Sequence, residues 1–322
     1  MSIHTDDHDG FERPRKRSRP RTKDRPDYSR LPLGRVVSID RGRYRCLLDG
    51  NLVTAVRGRL IDRKGIIVGD MVRLDGDTSG AEGTLARAVE VSDRTTVLRR
   101  SADDADTFER PIVANADQLF IVTALADPPP RVGMIDRILV AAYDARIDPV
   151  LCLTKADLAR PDALVAAYSP LGVPILVTDP DADLTAVRAA LAGRVTVFVG
   201  HSGVGKSTLV NRLIPDANRA TGEVSELTGK GRHTSTSAVA MELPGGGWIV
   251  DTPGVRSFGI SHVGPGSILG AFPDLTEFAE DCPRGCRHDS TAIDCALDDA
   301  VADGHLAPDR LASFRRMERA FA

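Results

Sequence analysis

The sequence lacks the features that mark membrane-spanning and exported proteins. No run of about 18 apolar residues occurs in its 322 residues, which excludes a transmembrane helix. The first nine residues carry acidic side chains where a signal peptide needs positive charge, and no apolar stretch follows them. We therefore expect a cytoplasmic protein with no membrane contact.

Cysteine is scarce, and the number of cysteines is odd. Of the five in the chain, three crowd between positions 282 and 295. A reducing compartment disfavours disulfides, so metal ligation is the better explanation for this cluster. The chain is also too long to be a small disulfide-stapled scaffold, and it can form two or three domains with a sizeable core.

A large excess of either charge is also missing. The formal net charge of −3 argues against a uniformly basic nucleic-acid binder. Hydrophobic residues make up 42% of the chain and charged residues 27%, which fits a soluble globular protein and excludes wholesale disorder. No internal repeat is found. We expect the protein to be a monomer.

Positive charge is nevertheless concentrated near the N-terminus. Between positions 13 and 30 there are nine lysines or arginines, two aspartates and three prolines, with almost nothing apolar. Such a segment cannot bury enough surface to fold alone. We predict a disordered basic tail over residues 1–31, which is either simply solvated or an arm that binds nucleic-acid phosphates.

Five short β-rich runs follow the tail, at 35–39, 44–48, 52–56, 71–74 and 85–89. Turn residues separate them, and Asp49-Gly50-Asn51 is a hairpin signal. The pattern predicts a small OB-like barrel over residues 32–100 with basic strand edges suited to RNA. The alternative is a structural barrel that only packs on its neighbour.

The pattern then changes to alternating strands and helices. Near-continuous apolar runs at 119–122, 150–153, 174–177, 195–199 and 248–250 are typical of parallel strands covered on both faces. Apolar residues from Met134 to Ala142 recur with helical spacing between the first two runs. We predict an α/β domain over residues 108–260.

A complete phosphate-binding motif, G-x-x-x-x-G-K-[ST], occupies residues 200–208 between a strand and a helix. Its backbone N–H groups would surround the phosphates, Lys206 would reach the β- and γ-phosphates as a catalytic cation, and Ser207 would ligate Mg²⁺. His201 is expected to be a spacer that faces solvent. The predicted nucleotide-binding residues here are Gly200, His201, Ser202, Gly203, Val204, Gly205, Lys206, Ser207 and Thr208.

A D-x-x-G motif follows the last apolar run. Asp251 would hold Mg²⁺ through water, and the Gly254 N–H would meet the γ-phosphate. This short motif gains weight from its position after a strand and downstream of the phosphate loop.

Thr154, Lys155, Ala156 and Asp157 resemble the N-K-x-D base reader of GTPases. The Asp157 carboxylate would accept hydrogen bonds from N1–H and the 2-amino group of guanine, which adenine cannot supply. Thr154 stands where asparagine is usual, and Val177-Thr178-Asp179 stands where a second guanine signature, S-A, is usual. The base reader precedes the phosphate loop, the reverse of ordinary GTPases, which indicates a circular permutation.

The C-terminal cysteines form a C-x₃-C-x-H-x₆-C pattern with one histidine. Cys282, Cys286, His288 and Cys295 suit one tetrahedral structural Zn²⁺. We predict an α-helical zinc-binding domain over residues 261–322. Its last helix would point Leu311, Phe314, Met317 and Phe321 inward and Arg310, Arg315, Arg316 and Arg319 outward.

The order of barrel, permuted GTPase motifs and Cys₃His cluster resembles the ribosome small-subunit-dependent GTPase A family (RsgA, also called YjeQ). The segments 111–117, 200–208, 229–236 and 251–259 carry the similarity. The resemblance implies an α/β, circularly permuted P-loop GTPase domain between an N-terminal OB-like barrel and a C-terminal zinc-binding domain. It also implies a late assembly factor of the small ribosomal subunit, which contacts ribosomal RNA and couples subunit-stimulated GTP hydrolysis to its release.

The same resemblance assigns the first switch and the group that positions water. Thr234, Ser235 or Thr236 would reach Mg²⁺ and the γ-phosphate. Val255 occupies the place of the glutamine that orients water in Ras-like enzymes, and valine cannot form that hydrogen bond. The similarity points instead to His233 as the catalytic residue.

Two other functions remain open from the residues alone. One is an RNA-binding adaptor that uses GTP as a binary switch with negligible turnover. The other is an ATP-using P-loop kinase, which the base preference of the site would distinguish.

Overall fold

A computed structural model describes residues 26–100, 110–215, 238–252, 260, 263 and 268–319. The predicted basic tail lies outside these ranges up to residue 25. In the described part of the chain, no helix is long and apolar enough to cross a membrane. The described residues form a barrel, an α/β sheet and a helical C-terminal segment.

Five strands close into the N-terminal barrel. Strand β1 pairs with both β2 and β4, β3 pairs in parallel with β5, and β5 pairs with β4, so the order is β1-β2-β3-β5-β4-β1. Alternating side chains point inward, and Val36, Val53 and Leu74 are completely buried. The strands are β1 Leu33–Asp40, β2 Arg43–Leu48, β3 Asn51–Arg57, β4 Met71–Gly76 and β5 Ala86–Val91.

A two-stranded hairpin follows the barrel. It consists of β6 (Val97–Arg100) and β7 (Arg110–Ala114) and forms a separate small sheet. A bridge between Val68 and Val113 attaches it to the barrel. The sequence did not predict this hairpin, because each strand is short and lacks strong alternation.

The α/β part has the predicted parallel sheet. Its order is β10-β9-β8-β11-β13-β12, with all neighbours parallel except β12, which is antiparallel to β13. The strands are β8 Gln118–Ala124, β9 Asp148–Thr154, β10 Ile175–Val177, β11 Val195–Val199, β12 Val239–Glu242 and β13 Trp248–Asp251.

Helices cover both faces of this sheet, as the continuous apolar strands require. Residues of α1 and α2, such as Ile135 and Leu164, pack on one face, and residues of α3 and α4, such as Val187 and Leu209, pack on the other. Within the second layer, Phe120 and Phe198 stack with their ring centroids 5.0 Å apart. The helices are α1 Val132–Asp144, α2 Asp162–Tyr168, α3 Thr185–Leu191 and α4 Lys206–Leu213.

The barrel and the α/β sheet are joined edge to edge. Ser38 of β1 pairs with Val239 of β12, so the strands of both parts belong to one continuous sheet. Beside this junction the Arg35 guanidinium lies 5.7 Å from the centre of the Trp248 ring. The sequence predicted two separate units and missed this pairing.

The C-terminal segment packs on the face that carries α1 and α2. Its helices are α5 Pro273–Ala279, α6 Ala296–Ala302 and α7 Pro308–Glu318. Leu311, Phe314 and Met317 are buried as predicted, whereas Phe321 lies outside the described residues. The barrel, the parallel α/β sheet and the helical C-terminal segment together confirm the fold class expected from the sequence.

The prediction that all the α7 arginines face solvent is wrong. Arg316 lies beside the buried carboxylate of Asp136, donates to the Ala167 carbonyl at 3.0 Å and stacks on Tyr168. Arg310 forms a bidentate pair with Asp274 and also donates to the Pro170 carbonyl at 2.9 Å. Of the four arginines only Arg319, which follows α7, is exposed. The other three are half-buried because neighbouring parts of the protein also pack against their side of the helix.

The Arg316→Ala substitution tests this docking contact. Burial already raises the pKa of Asp136, and the substitution leaves that carboxyl buried without its cation. We expect the free energy of unfolding at pH 7 to fall by about 3 kcal/mol, measured by urea denaturation. Because the native state then binds the Asp136 proton more tightly than the unfolded state does, the deficit should shrink as the pH falls toward about 4.

The matched control is Arg160→Ala. Arg160 pairs with Asp162, but the two side chains are 88% and 69% exposed, so no measurable loss is expected. Equal losses for the two variants would contradict a specific docking role for Arg316.

Candidate nucleotide-binding site and metal centre

The three predicted nucleotide-binding loops leave the same edge of the sheet. They follow β9, β11 and β13, which run parallel to one another through β8. The carboxyl ends of parallel strands lie at the same edge of a sheet. The three loops therefore emerge at one edge whatever the order of their motifs along the chain. The base loop and the phosphate loop therefore lie side by side.

Glycines allow the phosphate loop its tight path between β11 and α4. A Cβ atom on Gly200 would lie 2.5 Å from the Val122 carbonyl oxygen, and Gly205 has a φ of +85°. The loop ends at Lys206, the first residue of α4. Ser207 and Thr208 are exposed in the first turn of that helix, where backbone N–H groups favour an anion.

Lys206 connects the phosphate loop to the D-x-x-G strand. Its ammonium group donates to the Asp251 carboxylate and to the Thr252 carbonyl. Thr252 is itself fixed by a 2.7 Å hydrogen bond from its hydroxyl to the Phe198 carbonyl. The cation predicted for phosphate and the carboxylate predicted for Mg²⁺ are thus adjacent.

Thr154 ties the base loop to the phosphate loop. Its buried hydroxyl donates to the Val204 carbonyl at 2.6 Å and also lies 3.2 Å from the Thr123 carbonyl. Lys155 adopts a left-handed conformation with a φ of 59° and donates to the Asp127 carbonyl. Thr154, which stands where asparagine is usual, therefore fixes the position of the base loop relative to the phosphate loop.

A pocket opens between these two loops. Its lining includes the predicted residues Thr154, Lys155, Gly205 and Thr208. Asp157 is exposed and does not contribute to the lining. His201 is half-buried, and its Nδ1 atom lies 2.9 Å from the Ser202 carbonyl oxygen.

The far wall of the pocket is formed by Thr178, Asp179 and Pro180. These residues include the sequence that departs from the usual second guanine signature. Arg212 of α4 also lines the pocket, and sequence reasoning missed it because an arginine in a helix has no distinguishing pattern. The predicted residues His233, Thr234, Thr236 and Gly254 lie outside the described residues.

The C-terminal cluster has the dimensions of a tetrahedral zinc site. The Cys282 Sγ atom lies 3.5 Å from His288 Nδ1 and 3.9 Å from Cys295 Sγ. Bond lengths of about 2.3 Å for Zn–S and 2.0–2.1 Å for Zn–N imply ligand separations of roughly 3.5–3.8 Å. Cys286 completes a set whose ligand atoms all lie within 4.8 Å of one another, so the residues fit zinc.

An arginine of α7 is hydrogen-bonded to the backbone of the cluster's histidine. Arg315 donates to the His288 carbonyl at 2.9 Å and forms a bidentate pair with Asp298 at 2.7 Å. Burial, followed by the charge of Arg315, lowers the pKa of His288. The histidine is therefore favoured in the neutral form that ligates a metal.

The fold and the site together define a circularly permuted P-loop protein with the loop set of a GTPase. A family model described as RsgA GTPase matches residues 91–261, more than half of the chain. A relative from Pseudomonas fluorescens, named small ribosomal subunit biogenesis GTPase RsgA, is 37% identical over 84% of this chain and 76% of its own length. The chain therefore belongs to the RsgA GTPase family.

Other relatives agree with this assignment. The protein of the same name from Azotobacter vinelandii is 43% identical over 65% of this chain, and the chain spans 63% of that relative's length. The crystal structure of YjeQ from Thermotoga maritima is similar with a TM-score of 0.66 and 26% identity, covering 90% of this chain and 98% of that one. YloQ, described as a circularly permuted GTPase, shares the fold at 24% identity and a TM-score of 0.64, covering 92% and 97% of the two chains.

The Thr154→Val substitution tests the link between the two loops. It removes the hydroxyl and leaves the Val204 carbonyl without its hydrogen bond, so the loops lose their fixed spacing. We expect about a tenfold loss of affinity for GDP, measured by titration with a fluorescent analogue.

Thr196→Val is the matched control. Thr196 is another buried threonine of the same sheet, and its hydroxyl bonds Gln118 at 3.3 Å, away from the loops. This variant should keep the wild-type affinity. A similar loss in both variants would show that general destabilisation explains the effect.

The metal centre predicts one zinc ion per chain in the purified protein. Cys286→Ala should abolish that stoichiometry, measured by elemental analysis after gel filtration, because three ligands hold the ion much more weakly. Cys152→Ala is the control, since this cysteine is buried in β9, and zinc should be retained. Full zinc content in the Cys286 variant would show that the cluster is not the binding site.

Proposed function

We propose that this protein hydrolyses GTP with Mg²⁺ on the small ribosomal subunit, assists the subunit's late maturation, and uses hydrolysis to time its own release. The observation that carries the proposal is the 2.6 Å hydrogen bond from Thr154 to Val204, which sets the base loop against the phosphate loop. Family membership and the names of the relatives supply the ribosomal part. We propose that the protein acts in the cytoplasm as a monomer.

Each loop has a part in this reaction. Lys206 and the N–H groups of residues 200–208 would bind the phosphates. Ser207 would hold Mg²⁺ directly and Asp251 would hold it through water, and the bound ion would neutralise phosphate charge. Asp157 reads the guanine edge. In the first switch Thr234, Ser235 or Thr236 would reach Mg²⁺ and the γ-phosphate, and Gly254 would donate its N–H to the γ-phosphate.

His233 is proposed to orient the attacking water. An imidazole can accept the proton of water near neutral pH. Val255, which follows the D-x-x-G motif, has no group that could do so.

The barrel is proposed to contact ribosomal RNA. A groove on it is lined by Tyr28, Arg57, Arg59, Leu60 and Arg87, among others. The cationic side chains suit phosphates, and the tyrosine ring can stack on a base. The basic tail that ends at this groove would extend the same surface.

The zinc-binding segment offers a second surface for RNA. Arg284 and Ile293 are exposed around the metal cluster, and Ile293 is 82% exposed. A structural zinc ion would hold this short segment rigid. The exposed residues around the cysteine cluster, rather than the α7 arginines, are therefore the proposed contact.

Subunit-stimulated turnover tests the proposed function. Phosphate release from GTP should rise at least about tenfold when purified small subunits are added, equivalent to about 1.4 kcal/mol of barrier. Large subunits should have no effect, and Lys206→Ala should abolish turnover. Absence of stimulation by small subunits would reject the ribosomal assignment.

His233→Ala extends the same assay. The variant should bind GTP normally and lose the stimulated rate, whereas His201→Ala should retain most of it. Unchanged stimulated turnover in the His233 variant would rule out its role in positioning water.

A further inference from the structure

Arg212 joins the phosphate-binding helix to the far wall of the base pocket. The side chain extends from the last turn of α4. Its Nη1 atom donates to the Asp179 carbonyl at 3.0 Å, and its Nη2 atom donates to the Ala182 carbonyl at 2.6 Å. One guanidinium group thus holds two backbone carbonyls of the loop that follows β10.

The near end of this loop is held separately. The Thr178 N–H donates to the Leu153 carbonyl at 2.8 Å, and the Thr178 carbonyl accepts from the Ala156 N–H at 3.2 Å. These bonds fix Thr178 to the base loop. Beyond Thr178, the Asp179 carboxylate accepts from the Asp181 N–H at 2.8 Å, a bond within the loop itself. The hydrogen bonds of Arg212 connect this part of the loop to α4.

The wall contains a backbone donor of the kind that suits guanine. Asp179 lines the pocket, and its N–H donates no hydrogen bond to any residue in the described part of the chain. Guanine carries an acceptor, O6, where adenine carries an amino donor. An N–H held toward the base in this wall would therefore favour guanine and oppose adenine, because the adenine amino group would meet it as a second donor.

We propose that Arg212 is a positioning residue for base selectivity, which holds the Asp179 N–H where it meets O6 of a guanine nucleotide. The inference rests on the proposed binding of GTP at this site and adds a determinant that none of the sequence motifs contains. Arginine suits the task because its planar fork can reach two carbonyls at once, whereas the single ammonium group of lysine has no such fixed geometry.

Arg188 provides a matched control. This arginine of α3 also binds two backbone carbonyls, those of Arg212 at 2.8 Å and Leu213 at 3.1 Å. Its contacts join α3 to the end of α4 rather than α4 to the loop after β10, and it does not line the base pocket. Loss of either arginine removes a similar set of bonds, and only one set touches the wall.

The experiment measures the affinities of GDP, inosine diphosphate and ADP for the full-length wild type, Arg212→Met, Arg212→Lys and Arg188→Met. Inosine diphosphate keeps O6 and lacks the 2-amino group that Asp157 would read. Arg212→Met should weaken GDP and inosine diphosphate alike by about tenfold while leaving ADP unchanged. Arg212→Lys should recover part of the loss, and Arg188→Met should keep the wild-type ratio of GDP to ADP affinity.

The possible failures are distinguishable. A wild-type GDP-to-ADP ratio in Arg212→Met, or an equal fall of that ratio in Arg188→Met, would overturn the role of Arg212 while leaving the proposed function intact. A fall in ADP affinity that matches the fall in GDP affinity would show a merely structural role. Equal binding of GDP and ADP by the wild type would overturn the proposed function along with this inference.

Discussion

The hydrogen bond between the Thr154 hydroxyl and the Val204 carbonyl is the contact on which the candidate site depends. It connects two loops whose order along the chain is reversed relative to ordinary GTPases. Parallel pairing in the sheet brings both loops to one edge, but pairing alone does not set their separation. The buried hydroxyl does so, because an unpaired carbonyl at that position would be costly.

A second set of contacts joins the candidate nucleotide site to the Cys₃His cluster through packed helices. Pro128, in the loop before α1, lies beside Gly203 of the phosphate loop. Asp136 of α1 meets Arg316 of α7, and Arg315 on the same helix binds the His288 carbonyl. The arginines thus join the C-terminal segment to α1, which starts close to the phosphate loop.

Local sequence patterns predicted the strands, the phosphate loop and the cysteine cluster well, because each depends on residues close together in the chain. Contacts between distant residues were missed. The helical spacing of Leu311, Phe314 and Met317 identifies one buried face of α7, but it cannot show that Asp136 and Asp274 cover the opposite side. Likewise, nothing local to Arg212 indicates that it binds loop carbonyls.

The edge-to-edge pairing of Ser38 with Val239 has a consequence for how the molecule can be divided. It gives Val239, at the start of β12, a partner on the outer side of the strand, where backbone N–H and C=O groups would otherwise face solvent. An unprotected strand of this kind is a template for aggregation. The barrel therefore shields the sheet, and the α/β part cut away from it would tend to self-associate through that open edge.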